Sequence, residues 1–216
     1  MRDKFESQLK ELNDSLIFMG AQCEDCITYA TQALLTGADQ MAQRAVQIER
    51  DADGKEREIQ SLCMKLLLQQ QPVASDLRTI SAALRMITDM ERIADQGSDI
   101  AEITRHVNLT QSESNMHIAQ MADAVIRMVT NAVSSFVRRD KELALSVQAQ
   151  DDTVDELFQT VKRELVDIMC GGISCSRENA EQALETLMIA KYLERIGDHT
   201  VNITEAVLSM LDHSAE

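Results

Sequence analysis

Apolar residues return along the start of the chain in alternating steps of four and three, at Phe5, Leu9, Leu12, Leu16, Met19, Cys23, Cys26, Ala30 and Ala33. That rhythm is the seam of a helix packed in a bundle. It stops at Thr36-Gly37-Ala38-Asp39, and a second periodic segment runs from about Asp39 to Gln70. Pro72 ends it, because the proline ring blocks the preceding turn and leaves no N–H to donate. A third helix restarts in QPVASDLR, with Ser75 as the expected N-cap and Asp76 complementing the positive end of the dipole, and fades near HVNLTQSES. A fourth reaches about Arg139, a fifth runs from Lys141 to Met169 until Gly171-Gly172 breaks it, and a sixth starts near Ser176. The pattern predicts six long helices, three and then three again.

The second three repeat the first. Glu91 to Glu102 reads ERIADQGSDIAE, and Glu194 to Glu205 reads ERIGDHTVNITE. Leu35 and Phe136, Asp39 and Asp140, and Asp51 and Asp151 fall at nearly the same spacing, and QQQPVASD faces CGGISCSR. A duplication with one change of loop length explains this. The expected fold is all-α, two tandem similar three-helix bundles over residues 1–108 and 109–216, side by side or end to end.

Composition agrees. One Pro, seven Gly and 3% aromatic residues favour helix and deprive sheets of their usual packing groups. No apolar run reaches the roughly 18 residues that span a bilayer, and the first residues lack the apolar core of a signal peptide; a cytoplasmic location is expected. A formal charge of -15 repels nucleic-acid phosphates and attracts cations or basic protein surfaces. Five cysteines, an odd number, suit a reducing compartment better than a disulfide framework.

On a helical wheel Glu91, Asp95, Asp99 and Glu102 fall within an arc of about 80°, and Glu194, Asp198, Asn202 and Glu205 repeat it. These acids border the apolar face, and like charges at helical spacing repel by a few tenths of a kcal/mol per pair. One reading is a solvated face neutralised by Arg85, Arg92, Lys191 and Arg195. The other is a metal site, because carboxylates four residues apart, joined by others on a neighbouring helix, offer oxygen ligands to a hard cation. The fifth helix supplies Asp151 and Asp155 at the same spacing, and the second supplies Asp51, with Lys55 in the matching fifth place. Lys55 would weaken the first site, and Glu49 and Asp53 would serve only from a different face.

Cys23 and Cys26 lie on the first seam and are expected in the core, while Cys170 and Cys175 flank the Gly-Gly break. His106 continues the first acidic stripe, His199 points away from the second and is expected on the surface, and the twelve Met are expected to fill the core. The chain contains no Glu-x-x-His step of the ferritin-like di-iron enzymes and no Gly-rich phosphate loop. Nothing in it points to an enzyme.

QQQPVASDLR, the following ERIADQGSDI and the later YLERIGDHTVNI closely resemble the PhoU family, regulators attached to the phosphate-specific transport system of bacteria. The resemblance covers essentially the whole chain. It implies two three-helix bundles and, in some members, binding of iron or another divalent metal (Mn, Mg or Zn) through Glu or Asp, three residues, Asp. That motif falls on Glu91 and Asp95, on Glu194 and Asp198, and on Asp151 and Asp155. It further implies a negative regulator of phosphate uptake and of the phosphate-starvation (Pho) regulon. Such a protein works as a homodimer against the ATPase subunit of a phosphate ABC transporter and a PAS-containing sensor histidine kinase, at the membrane only through those partners. The alternatives are an accessory protein of another phosphate or anion transporter, and a metal-free helical interaction module.

Overall fold

The computed structural model describes residues 2–69, 72–104, 113–170 and 176–212. Every regular element among them is a helix: α1 (Arg2–Thr36), α2 (Asp39–Gln69), α3 (Ala74–Thr104), α4 (Glu113–Arg138), α5 (Lys141–Cys170) and α6 (Arg177–Asp212). The Gly171-Gly172 break, His106, Cys175 and the 108/109 division lie outside the described residues.

Helices α1 to α3 pack on one another, as do α4 to α6, and the halves join where α1 meets α4 and α3 meets α6. The halves therefore stand side by side, with α2 and α5 on opposite flanks. One continuous apolar core runs through both, from Leu12, Leu16 and Met19 to Ile189, Ile196 and Ile203. The seam of α1 is buried as its spacing requires, with Leu9 half-buried, and Cys23 and Cys26 are fully enclosed. Met19, Met86, Met90, Met121 and Met128 are in the core, whereas Met64, Met116 and Met188 are exposed.

The turns fix the register of the repeat. Gly37 ends α1 with a φ of 68° and donates its N–H to Ala33 O, the left-handed cap that glycine adopts without steric cost. Arg139 ends α4 with a φ of 54°; its N–H reaches Phe136 O, and the Asp140 N–H reaches Ser135 O, which together form a Schellman motif. Asp140 then caps α5 through Leu143 N–H. Gly37 and Arg139 are thus equivalent positions, and the same separation divides Asp39 from Lys141, the first residues of α2 and α5.

At the start of α3 the cap is Val73, not Ser75. The Val73 carbonyl accepts from Asp76 N–H, and the Asp76 carboxylate reaches back to Val73 N–H, so the acid serves from the third helical position and Ser75 sits inside the first turn.

Candidate metal centre

On α2, Ile48, Ala52 and Ile59 are buried against the bundle, and Glu49 and Asp53 stand one turn apart on the flank of that stripe. On α3, Ile93 and Ala94 are buried and Asp95 follows them. The packing brings these three acids together, with one carboxylate oxygen from each within 4.8 Å of the others. Each is half-buried. Burial raises the Glu49 carboxyl above its ordinary range, Asp53 and Asp95 add to this, Arg50 opposes it, and Glu102 adds a smaller contribution. Burial likewise raises Asp95, with Asp53 and Asp99 contributing. Glu91, one turn back, is raised by burial and then by Asp95, Glu56 and Asp53.

Three partly dehydrated carboxylates that repel one another suit a hard divalent cation: they supply oxygen donors and gain most when a positive charge is placed among them. Their chemistry fits Mg, Mn or iron better than a soft metal. Beneath them the Cys26 thiol donates to Ala45 O at 3.5 Å and Ala94 O at 3.4 Å. Burial pushes it up to about 12, with Glu49 and Asp95 adding, so this thiol is a protonated floor.

The second half carries Asp151 and Asp155 on α5 and Glu194 and Asp198 on α6. Asp151 is pushed up to about 6, by burial first and then by Asp155, Asp198, Glu194 and Asp152, so all four acids share one electrostatic neighbourhood. Lys191 pairs with Glu194 and stands over the Phe158 ring. Among the described residues, three ligand atoms come within 4.8 Å only in the first cluster.

Three sequence expectations change. Asp51 is exposed and accepts a hydrogen bond from Gln47 on its own helix at 3.0 Å. The separation between the equivalent turn residues also divides Glu49 from Asp151 and Asp53 from Asp155, so Glu49 and Asp53 hold the places given to Asp51 and Lys55. Lys55 pairs with Glu58 and lies over the Phe18 ring, which removes the basis for a weakened first site.

Asp99 and Asn202 belong to the joint between halves. Asn202 donates to Asp89 at 3.1 Å, and His199 Nδ1 lies 3.0 Å from the same oxygen. Asp99 hydrogen-bonds Tyr192; burial and Glu102 raise its carboxyl while Arg195 opposes them. Residue numbers rise along α3 as they fall along α6 across these pairs, so the helices are antiparallel. His199 is accordingly not a surface residue, its side chain being 14% exposed. Glu49 and Asp53 serve from the different face that the sequence reading requires of them, and Glu49, three residues, Asp53 is itself the acidic motif.

Fold and site together define a class, a duplicated three-helix-bundle protein with carboxylate clusters between the outer helix of each half and its neighbour. The PhoU domain matches it twice, over residues 16–104 and 118–207, and the chain belongs to the PhoU family. It is 32% identical over 212 residues to the phosphate-specific transport system accessory protein PhoU homolog of Clostridium acetobutylicum, covering 97% of this chain and 95% of that protein. It is 27% identical to the homolog of the same description from Deinococcus radiodurans, with both chains fully covered. The crystal structure of PhoU from Pseudomonas aeruginosa superposes with a TM-score of 0.89 at 31% identity, covering 97% of this chain and all of that one. The phosphate transport system regulatory protein PhoU from Streptococcus pneumoniae has the same fold, with a TM-score of 0.86 at 22% identity.

Proposed function

We propose that this chain is a negative regulator of phosphate uptake and phosphate-starvation signalling. It acts by contact with the ATPase subunit of a phosphate ABC transporter and with a PAS-containing sensor kinase, as a cytoplasmic homodimer brought to the membrane by those partners. The observation that carries this is end-to-end similarity to proteins described as accessory to phosphate-specific transport. No helix among the described residues is long and apolar enough to cross a membrane, in keeping with action through partners. Its role is regulatory and not enzymatic.

The acidic clusters give the contact its chemistry. Glu49, Asp53 and Asp95, with Glu91 at the rim, hold one divalent cation, iron among the candidates, and Asp151, Asp155, Glu194 and Asp198 hold another. A bound cation turns a repelling acidic face into one able to accept carboxylates or phosphates of a partner. Affinity capture of the tagged chain from phosphate-replete cells, read by mass spectrometry, tests this: recovery of the transporter ATPase and the kinase is expected. Capture that enriches neither, under conditions that hold the transporter intact, contradicts it.

A further inference from the structure

A groove of about 90 Å³ lies between the first half of α3 and the last turns of α6, away from the acidic clusters. Arg78, Ser81 and Arg85 form one wall, Ser209 stands on the other, and Ala82 and Met210 are buried beneath. Steps of three and four place Arg78, Ser81 and Arg85 on one face of α3.

In a chain of net charge -15, no carboxylate among the described residues lines this groove. The acids nearby are committed elsewhere: Asp76 to Val73 N–H, Asp89 to His199 and Asn202, and Asp212 to Lys141. Glu205, next to Ala206 of the groove, is exposed to solvent. Neither Arg78 nor Arg85 forms an ion pair among the described residues.

Two guanidinium forks without an ion-pair partner and two hydroxyls, with no carboxylate among the described lining residues, complement a small tetrahedral oxyanion. We propose that this groove binds inorganic phosphate. The choice of phosphate among such anions rests on the function proposed above, and it has a chemical basis in the groove: hydrogen phosphate donates its proton to a serine oxygen, which sulfate cannot do. A headgroup would bring an extended anionic surface against the whole acidic chain, whereas a small ion in the groove is screened from charges more than about 8–10 Å away, so the ligand is the free ion and not a headgroup.

Calorimetric titration of the full chain with inorganic phosphate at constant ionic strength tests the site. Saturable binding is expected, weakened about tenfold or more by R78Q together with R85Q, since each charge-assisted hydrogen bond is worth roughly one decade of affinity. R163Q, which removes an exposed cation elsewhere, should leave the titration unchanged. The single variant R85Q, altered only at an exposed side chain, should show an intermediate loss, so a fold defect in the double variant does not obscure the result. Absence of saturation, equal binding by the double variant, equally strong binding of sulfate, or sedimentation with phosphatidylglycerol vesicles in place of phosphate binding overturns the site. Signalling in a deletion strain is read separately, so failure of the groove and failure of the regulatory role remain distinct.

Discussion

Gly197 lies directly beneath the carboxylate of Asp151, so close that a Cβ at this position would meet Asp151 Oδ1 at 2.6 Å and Val154 Cγ1 at 3.7 Å. The bare α6 backbone lets Asp151 lean inward against the helix that carries Glu194 and Asp198. Gly197→Ala forces the carboxylate outward, away from the burial that raises it. The expected result is a lower Asp151 pKa by NMR titration and weaker metal binding at the second cluster, with helicity unchanged. An Asp151 titration identical to that of the parent chain contradicts this placement.

The first cluster predicts opposite effects with and without metal. Neutralising one of three mutually repelling acids, as Asp95→Asn or Glu49→Gln, should stabilise the metal-free protein by about 0.3–1 kcal/mol and remove most of the stabilisation that a divalent cation adds. Asp51→Asn, on an exposed acid of the same helix, should do neither. Thermal melts with and without Mn or iron measure all three. Loss of the metal increment in Asp51→Asn, with Asp95→Asn unaffected, would restore the register in which Asp51 is the ligand.

That register shows where the sequence alone stops. The seam of α1, the breaks at Gly37 and Pro72 and the duplicated acidic phrase follow from periodicity and turn chemistry, because each is a local property of the chain. The choice among Glu49, Asp51 and Asp53 is not local. All three are acids on one helix, and matching Asp51 to Asp151 by identity selects the wrong one; the turn residues Gly37 and Arg139 fix the correct alignment, and a left-handed Arg cannot be recognised from its identity. The Asp89, His199 and Asn202 joint was hidden for a different reason. It depends on which helices of the two halves pack together and in which direction, and neither follows from the spacing within one helix.

Stability should depend on pH through Asp151. A carboxyl raised in the folded state from 3.8 to about 6 binds its proton more tightly folded than unfolded. Its contribution is therefore fully present below about pH 4 and is lost as pH rises to about 6. Glu49, Glu91 and Asp95 are raised in the same direction. Metal-free protein should thus lose stability across this window, and added divalent cation should restore more at pH 7.5 than at pH 5, where protons compete for the same oxygens. Denaturant titrations at the two values, with and without metal, measure it. A metal increment larger at pH 5 would contradict the assignment.

The joint between halves should be strong because its groups are largely withdrawn from water. Asp89→Ala leaves His199 and Asn202 facing an empty acceptor and should cost about 1–3 kcal/mol, seen as a lower melting temperature. Asp155→Ala, on an exposed acid, should stay within about 0.5 kcal/mol in the metal-free state. Equal losses at the two positions would mean that the α3–α6 contact carries no such network.

The regulatory role itself is tested most directly in the cell of origin, by measuring phosphate-starvation transcripts in phosphate-rich medium after clean deletion of the gene and after its replacement by the Glu49→Gln, Asp53→Asn, Asp95→Asn chain. Neutralising these half-buried, mutually repelling acids leaves the metal-free bundle folded, so the prediction is strong derepression in the deletion strain, and derepression in the variant at normal protein level. A deletion strain that keeps its phosphate-starvation genes silent in rich phosphate would contradict the role, whatever metal the protein binds.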